Sequence, residues 1–199
     1  MKTILQLNAS ILSGHGQSSQ LASDFVAQLD ADDVIVRDLA SDPVPHLDAE
    51  RFGAFIAKPE TRTLKQDALL AYSDGLIKEL KRADVIVLGL PMYNFGLPST
   101  LKAYFDHVAR AGVTFRYTEK GPVGLLTGKK AYVFATRGGY YQGTAKDTQT
   151  AYVRDFLAFL GITDVEFVYA EGLAISEASK AASLAQARDS LRGLVPAFA

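Results

Sequence analysis

Three short runs of this 199-residue chain carry residue types that could hold a small ligand. The first, Asn8 to Ser19, sets Ser10, Ser13, Ser18 and Ser19 among Gly14, Gly16 and Gln17 at the start of a helical pattern. Small hydroxyl residues and glycines there let backbone N–H groups and serine hydroxyls surround an anion, helped by the helix dipole. The second, Leu90-Pro91-Met92-Tyr93-Asn94-Phe95-Gly96, follows the apolar run Val85 to Leu88 and brings two rings and an amide to one loop. Rings at the carboxyl end of a buried strand suit a flat, conjugated ligand, and Asn94 offers a donor and an acceptor to a heterocycle edge. The third, Thr136-Arg137-Gly138-Gly139-Tyr140-Tyr141, has paired glycines that permit close backbone approach and leave N–H groups free for a ring's polar edge. Each run also has an ordinary reading. Ser18 or Ser19 could simply cap a helix, the rings could pack inward, and the glycines could form a turn with solvated tyrosines.

The first run excludes some ligands. No lysine follows Gly16, so it is not a triphosphate loop, and it lacks the GxGxxG dinucleotide spacing. A phosphomonoester held by neutral donors is the expected guest. Cysteine is absent, which removes thiolate catalysis, disulfides and cysteine-ligated metals. The three histidines, His15, His46 and His107, are expected to be surface or packing residues, and no metal-ligand cluster is expected.

The elements that must position these runs follow from hydrophobic periodicity. Apolar runs alternate with helical patterns along the chain, the signature of an α/β fold with a parallel sheet covered on both faces. Strands are expected near Thr3 to Asn8, Val34 to Arg37, Asp84 to Leu90, Lys130 to Thr136 and Val165 to Ala170. Helices are expected at Ser18 to Leu29, Leu64 to Arg82, Pro98 to Arg110, Thr148 to Leu160 and Glu177 to Val195. Core stripes fall on Leu101, Tyr104, Phe105 and Val108 in the third helix and on Tyr152, Phe156, Phe159 and Leu160 in the fourth. With five strands in the order 2-1-3-4-5, strands 1, 3 and 4 are neighbours, and all three runs emerge side by side at the switch point. One phosphate cradle beside two ring-binding loops describes a mononucleotide with a planar heterocycle.

Two segments depart from simple crossovers. Asp42-Pro43-Val44-Pro45-His46 is confined to extended or turn geometry, with a short helix expected around Ala49 to Ala57. Gly112 to Gly128 reads as a short hairpin or lid. The balance of 21 basic and 22 acidic residues gives a formal charge of −1, so no overall field favours nucleic acid or an anionic membrane. No apolar run reaches signal-peptide or membrane-spanning form, and a single cytoplasmic domain over 1–199 is expected.

At Pro91 to Phe95 and at Arg110-Ala111-Gly112-Val113-Thr114-Phe115-Arg116-Tyr117 the chain resembles the FMN-dependent NAD(P)H azoreductases and quinone reductases of the flavodoxin-like fold. Thr136 to Gly139 and Gly161-Ile162-Thr163-Asp164 add to the resemblance. The resemblance implies that Ser10, Gly16, Gln17 and Ser18 hold the FMN phosphate. It implies that Met92, Tyr93, Asn94 and Phe95 hold the flavin ring and ribityl chain, and that Thr136, Arg137, Gly138 and Gly139 line the pyrimidine edge. Gly16 and Thr136 stand where many members of that family have serine. It further implies a ping-pong reduction of quinones and azo compounds by NADH or NADPH, without an acid–base side chain, in a homodimer where Tyr117 and Phe159 face the substrate. A flavodoxin-like electron carrier and a general flavin or nitro-compound reductase are the alternatives, the carrier disfavoured by the balanced charge.

Overall fold

The computed structural model describes residues 2–195; Met1 and residues 196–199, the ends of the expected 1–199 domain, lie outside them. Strands β1 (Thr3–Asn8), β2 (Asp33–Asp38), β3 (Val85–Pro91), β6 (Lys130–Thr136) and β7 (Asp164–Ala170) form one parallel sheet in the order β2-β1-β3-β6-β7. Between β3 and β6 the chain forms an antiparallel hairpin, β4 (Phe115–Thr118) and β5 (Gly121–Gly124), where a hairpin or lid was expected. Counting those two strands changes the numbering of the order 2-1-3-4-5, while the five expected segments keep their neighbours.

Successive strand side chains point to opposite faces, and both faces are covered. Ile4, Val85, Val87, Tyr132, Phe134 and Val168 pack against α1 (Gln17–Val26) and α6 (Glu177–Leu194). Phe25 anchors that layer, its ring 4.7 Å from Tyr132 and 5.3 Å from Phe134. Leu5, Leu7, Ile86, Leu88, Leu90 and Val133 pack against the opposite layer, α3 (Leu64–Arg82), α4 (Ser99–Val108) and α5 (Thr148–Leu160). The expected short helix is α2 (Ala49–Ile56), capped by Asp48, whose carboxylate accepts from the Arg51 N–H. The expected stripe of α4 is buried: Leu101, Tyr104, Phe105 and Val108 all lie in the core.

The stripe of α5 differs from expectation. Its buried side is Gln149, Val153, Leu157 and Leu160, while Tyr152 is 36% exposed and Phe156 and Phe159 are half-buried. The aromatic rings cover the shoulder of the helix, Phe156 stacked on Phe105 at 4.0 Å and Phe159 against Phe115 at 4.2 Å. Leu160 of the expected stripe is in the core and Phe156 and Phe159 pack against it, while Gln149, Val153 and Leu157, outside the expected stripe, complete the inner face.

Two close approaches set how the layers meet. A Cβ at Gly89 would lie 2.9 Å from the Ser18 carbonyl oxygen, so β3 carries no side chain where the start of α1 crosses it. A Cβ at Gly124 would lie 2.0 Å from the Gly161 nitrogen, so the hairpin seats directly on the left-handed C-cap of α5, Gly161 at φ 102°. Gly124→Val is expected to destabilise the fold by about 3 kcal/mol, the scale of severe overpacking, read as a lower guanidinium midpoint at unchanged m-value. A midpoint equal to the parent's would refute the contact.

Candidate functional site

The loop after β1 passes through Ser13 at φ 53° and a 3-10 turn, Ser13–His15, before Gly16 begins α1. The Ser13 hydroxyl donates to the Asp38 carboxylate, which also accepts from the Ala40 N–H at 2.9 Å, so the end of β2 anchors the loop. Gly16 is the N-cap and supplies no side chain, and a Cβ there would lie 2.1 Å from Ser10 Oγ. The serine common at this position in the resembled family therefore has no room while Ser10 keeps its place. Ser18 and Ser19 are fully buried, yet their hydroxyls find no partner among the described residues. Neither caps the helix, so the ordinary reading of these serines fails. A buried hydroxyl left without a partner costs about 1–3 kcal/mol. Both serines lie at a helix start that has no side-chain cap, beside the positive end of the dipole.

The aromatic loop is a tight reversal. Tyr93 and Gly96 exchange backbone hydrogen bonds at 3.2 and 2.9 Å, and Asn94 and Phe95 between them take φ 49° and 61°. Both central residues are left-handed, as in a type I′ turn, and for a phenylalanine that conformation is strained. The turn lifts the Phe95 ring outward to half exposure, with Tyr141 5.6 Å away edge-on and Lys146 Nζ 5.9 Å from its centroid. Its base is fastened by Gln149, whose Nε2 donates to the carbonyls of Pro91 and Gly96, both at 3.0 Å.

The glycine loop follows β6. The Gly138 and Gly139 carbonyls accept from Ala174 and Gly172, both at 3.0 Å, while their own N–H groups donate to nothing among the described residues. A Cβ at Gly138 would lie 3.2 Å from that of Ala174, and one at Gly139 would meet the end of the Tyr141 ring at 2.8 Å.

Arg137 differs from its expected place at that edge. Its side chain is fully buried beneath the loop, with Nη2 donating to Asp147 Oδ1 at 2.6 Å and Nη1 to Glu171 Oε1 at 3.1 Å. The guanidinium also lies 5.0 Å from the Tyr169 ring centroid, and the Arg137 backbone N–H is committed to the Ala170 carbonyl. A buried cation needs its carboxylates close, and these stand below the loop, so the side chain turns inward and leaves the edge to the glycines.

The three loops meet. The Tyr93 hydroxyl is 3.2 Å from Ser10 Oγ and accepts from the Ile11 N–H at 3.3 Å, and the Met92 N–H donates to the Thr136 carbonyl at 2.9 Å. The loops after β1, β3 and β6 are thus in contact at the carboxyl end of the sheet. Tyr117 and Phe159 form a separate ring cluster around Phe115, with Tyr117 5.4 Å from Phe115 and 74% exposed. Of the histidines, His15 and His46 are exposed, and His107 packs edge-on to Phe55 and Tyr72. Gln149, Thr148, Asp147 and Glu171 were not singled out in the sequence. Only Asp147, an acidic residue just ahead of a helical pattern, left a legible signal, and it does cap α5.

Residues 2–195 match a family described as Flavodoxin-like fold. The FMN-dependent NADH:quinone oxidoreductase of Cellvibrio japonicus (strain Ueda107) is 54% identical over 185 residues, covering 91% of this chain and 93% of its own. That of Alcanivorax borkumensis is 54% identical over 192 residues, covering 94% and 97%. A solved FMN-dependent NADH-azoreductase from Bacillus anthracis in complex with FMN is 26% identical, with a TM-score of 0.85 over 98% of this chain and 100% of that one.

The Arg137 cluster gives the site an acid limit. Burial alone would raise the Asp147 pKa, but hydrogen bonds from Arg137 and Thr150 outweigh it and hold the carboxyl below its ordinary range. A depressed pKa contributes stability above the unfolded value, about 3.9, and loses it as pH falls through the folded value. Asp147→Asn is expected to lower stability at neutral pH and to flatten the acid limb of a melting-temperature profile below about pH 4. An unchanged acid limb would show that Asp147 does not contribute to it.

Proposed function

The chain belongs to the flavodoxin-like fold family, and from that premise we propose that it is an FMN-dependent NADH:quinone oxidoreductase that also reduces aromatic azo compounds. The observation that carries this reading is the convergence of uncommitted donors: two buried serine hydroxyls at the start of α1 and two glycine N–H groups after β6, with a strained aromatic turn between them. The names of the relatives at 54% identity and the FMN-bound azoreductase of the same fold support it.

In this reading Ser10, Gly16, Gln17 and Ser18 hold the FMN phosphate, joined by Ser19, whose hydroxyl is equally buried and unpartnered. Met92, Tyr93, Asn94 and Phe95 hold the ring and ribityl chain, and Thr136, Gly138 and Gly139 take the pyrimidine edge. Arg137 contributes by holding the glycine loop from below. FMN held by these residues would supply two-electron redox chemistry between NADH and the acceptor, in a ping-pong scheme in which donor and acceptor use the site in turn. The chain's own task is position and electrostatics. The Gly138 and Gly139 N–H groups face developing negative charge as fixed donors, an arrangement that needs no reorganisation during reaction.

NADH is the proposed donor, as in the relatives' names. Tyr117 and Phe159 are proposed substrate contacts that reach the site of a second copy in a homodimer, consistent with the outward projection of Tyr117. One domain over 1–199, at work in the cytoplasm, completes the proposal.

Purified protein is expected to show flavin absorption, or to regain it on addition of FMN, and to oxidise NADH with a quinone and with an azo dye as acceptors. Failure to take up FMN would sink the cofactor reading, and turnover confined to free FMN would favour a general flavin reductase. Asn94→Ala, by losing roughly one good hydrogen bond to the ligand, and Gly138→Val, by crowding Ala174 and displacing the loop's N–H groups, are each expected to weaken FMN binding about ten-fold or more in a folded protein. Unchanged flavin content and turnover in both would count against this placement of the ring.

A further inference from the structure

We propose that the first turn of α5, Asp147 to Thr150, is the positioning element that sets the spacing between the aromatic loop and the glycine loop. The inference rests on the FMN reading and adds to it residues that touch neither cofactor nor substrate.

Gln149 is fully buried, and its single Nε2 donates to the carbonyls of Pro91, the last residue of β3, and Gly96, the last residue of the aromatic reversal, at 3.0 Å each. The neighbouring Thr148 hydroxyl donates to the Phe95 carbonyl between them. Three carbonyls of one strained loop therefore find their donors on two consecutive residues of α5. The Pro91 carbonyl is buried and costly to leave unmet, while the Gly96 carbonyl also accepts from the Tyr93 N–H; together these bonds hold the loop at the distance this helix dictates.

The same turn holds the other loop. Asp147 Oδ1 accepts from Arg137 Nη2 at 2.6 Å, and Thr150 Oγ1 lies 3.2 Å from that nitrogen. Arg137 pairs in turn with Glu171 Oε1, which also accepts from the Tyr141 and Gln142 N–H groups, both at 2.9 Å. Asp147 caps the helix as well, accepting from the Thr150 N–H at 3.1 Å. At the base the loops are joined directly, through the Met92 N–H and the Thr136 carbonyl at 2.9 Å. A helical turn is stiff, so one movement of α5 shifts both walls together. The gap between the rings of the aromatic loop and the N–H groups of Gly138 and Gly139 is thus set by side chains outside it.

A purely structural role would lower stability without touching the electronic environment of the flavin. The test compares wild type, Gln149→Met, Asp147→Asn and the double variant by three readouts: FMN dissociation constant from fluorescence quenching, midpoint potential of the bound flavin, and melting of the apo-protein. Gln149→Met is expected to fold, to raise the dissociation constant about ten-fold, equivalent to ~1.4 kcal/mol, and to move the potential to more negative values as the glycine N–H groups lose register. Its kcat should fall while the KM for the acceptor holds. The double variant should lose less than the product of the two single effects, because either change alone already frees the turn.

A folded Gln149→Met with dissociation constant and potential within about two-fold of wild type would overturn the proposal. So would a double variant whose effects simply multiply, or losses that follow apo-protein melting with the potential unmoved. If Gln149→Met does not fold, Thr148→Val, which removes one exposed hydroxyl, carries the same test with an expected weakening of about three-fold, and no change there would overturn it. Wild-type protein that takes up no FMN would remove the functional reading and this inference together. Wild-type binding with unaffected variants would remove the inference alone.

Discussion

Much of this structure is arranged around two residues held in a conformation they do not favour. Asn94 and Phe95 sit at φ 49° and 61°, and for Phe95 the left-handed conformation costs on the order of 1–3 kcal/mol. Such a turn persists only if its surroundings over-determine it. Here they do so from three sides: the Tyr93–Gly96 backbone pair closes the turn, the Tyr93 hydroxyl reaches Ser10 and the Ile11 N–H, and the carbonyls of Pro91, Phe95 and Gly96 are met by Gln149 and Thr148. The aromatic loop is thereby bound to the anion cradle on one side and to α5 on the other. The strain keeps the Phe95 ring outward when the hydrophobic effect would draw it in.

Charge is divided by the same logic. The run from Asn8 to Ser19 contains no lysine or arginine, and in the proposed reading an anion there would meet Ser18, Ser19 and an uncapped helix start, neutral groups with fixed dipoles. The buried cation of the glycine loop, Arg137, is neutralised by Asp147 and Glu171 and sealed beneath it. In the proposed reading, negative charge developing at the ring edge would meet the fixed N–H dipoles of Gly138 and Gly139, a preorganised environment. It also explains why an overall charge of −1 is compatible with an anionic cofactor.

Legibility in the sequence varied with how local each cause was. The central strands β1, β3 and β6 announced themselves as apolar runs buried on both faces, the edge strands β2 and β7 as apolar runs only partly buried, and α4 because Leu101, Tyr104, Phe105 and Val108 recur at helical spacing. The cradle was visible as serines and glycines before a helix. Gln149 was missed on the inner face of α5 because it is polar, and no periodicity analysis assigns a polar residue there. Arg137 was placed on the wrong side of its loop because its partners, Asp147 and Glu171, are 10 and 34 residues away and become neighbours only when β6, α5 and β7 pack.

The sequence by itself determined the layers, the sheet and the three loops that the sheet delivers to one end, since hydrophobic period and turn chemistry act over a few residues. The tertiary structure alone decided which donors remain free, which cation is buried, and that one turn of α5 fastens two loops. Those outcomes depend on distances between segments remote in the chain. A hydrogen bond or ion pair is satisfied or left open only by the atoms that packing brings within about 3 Å.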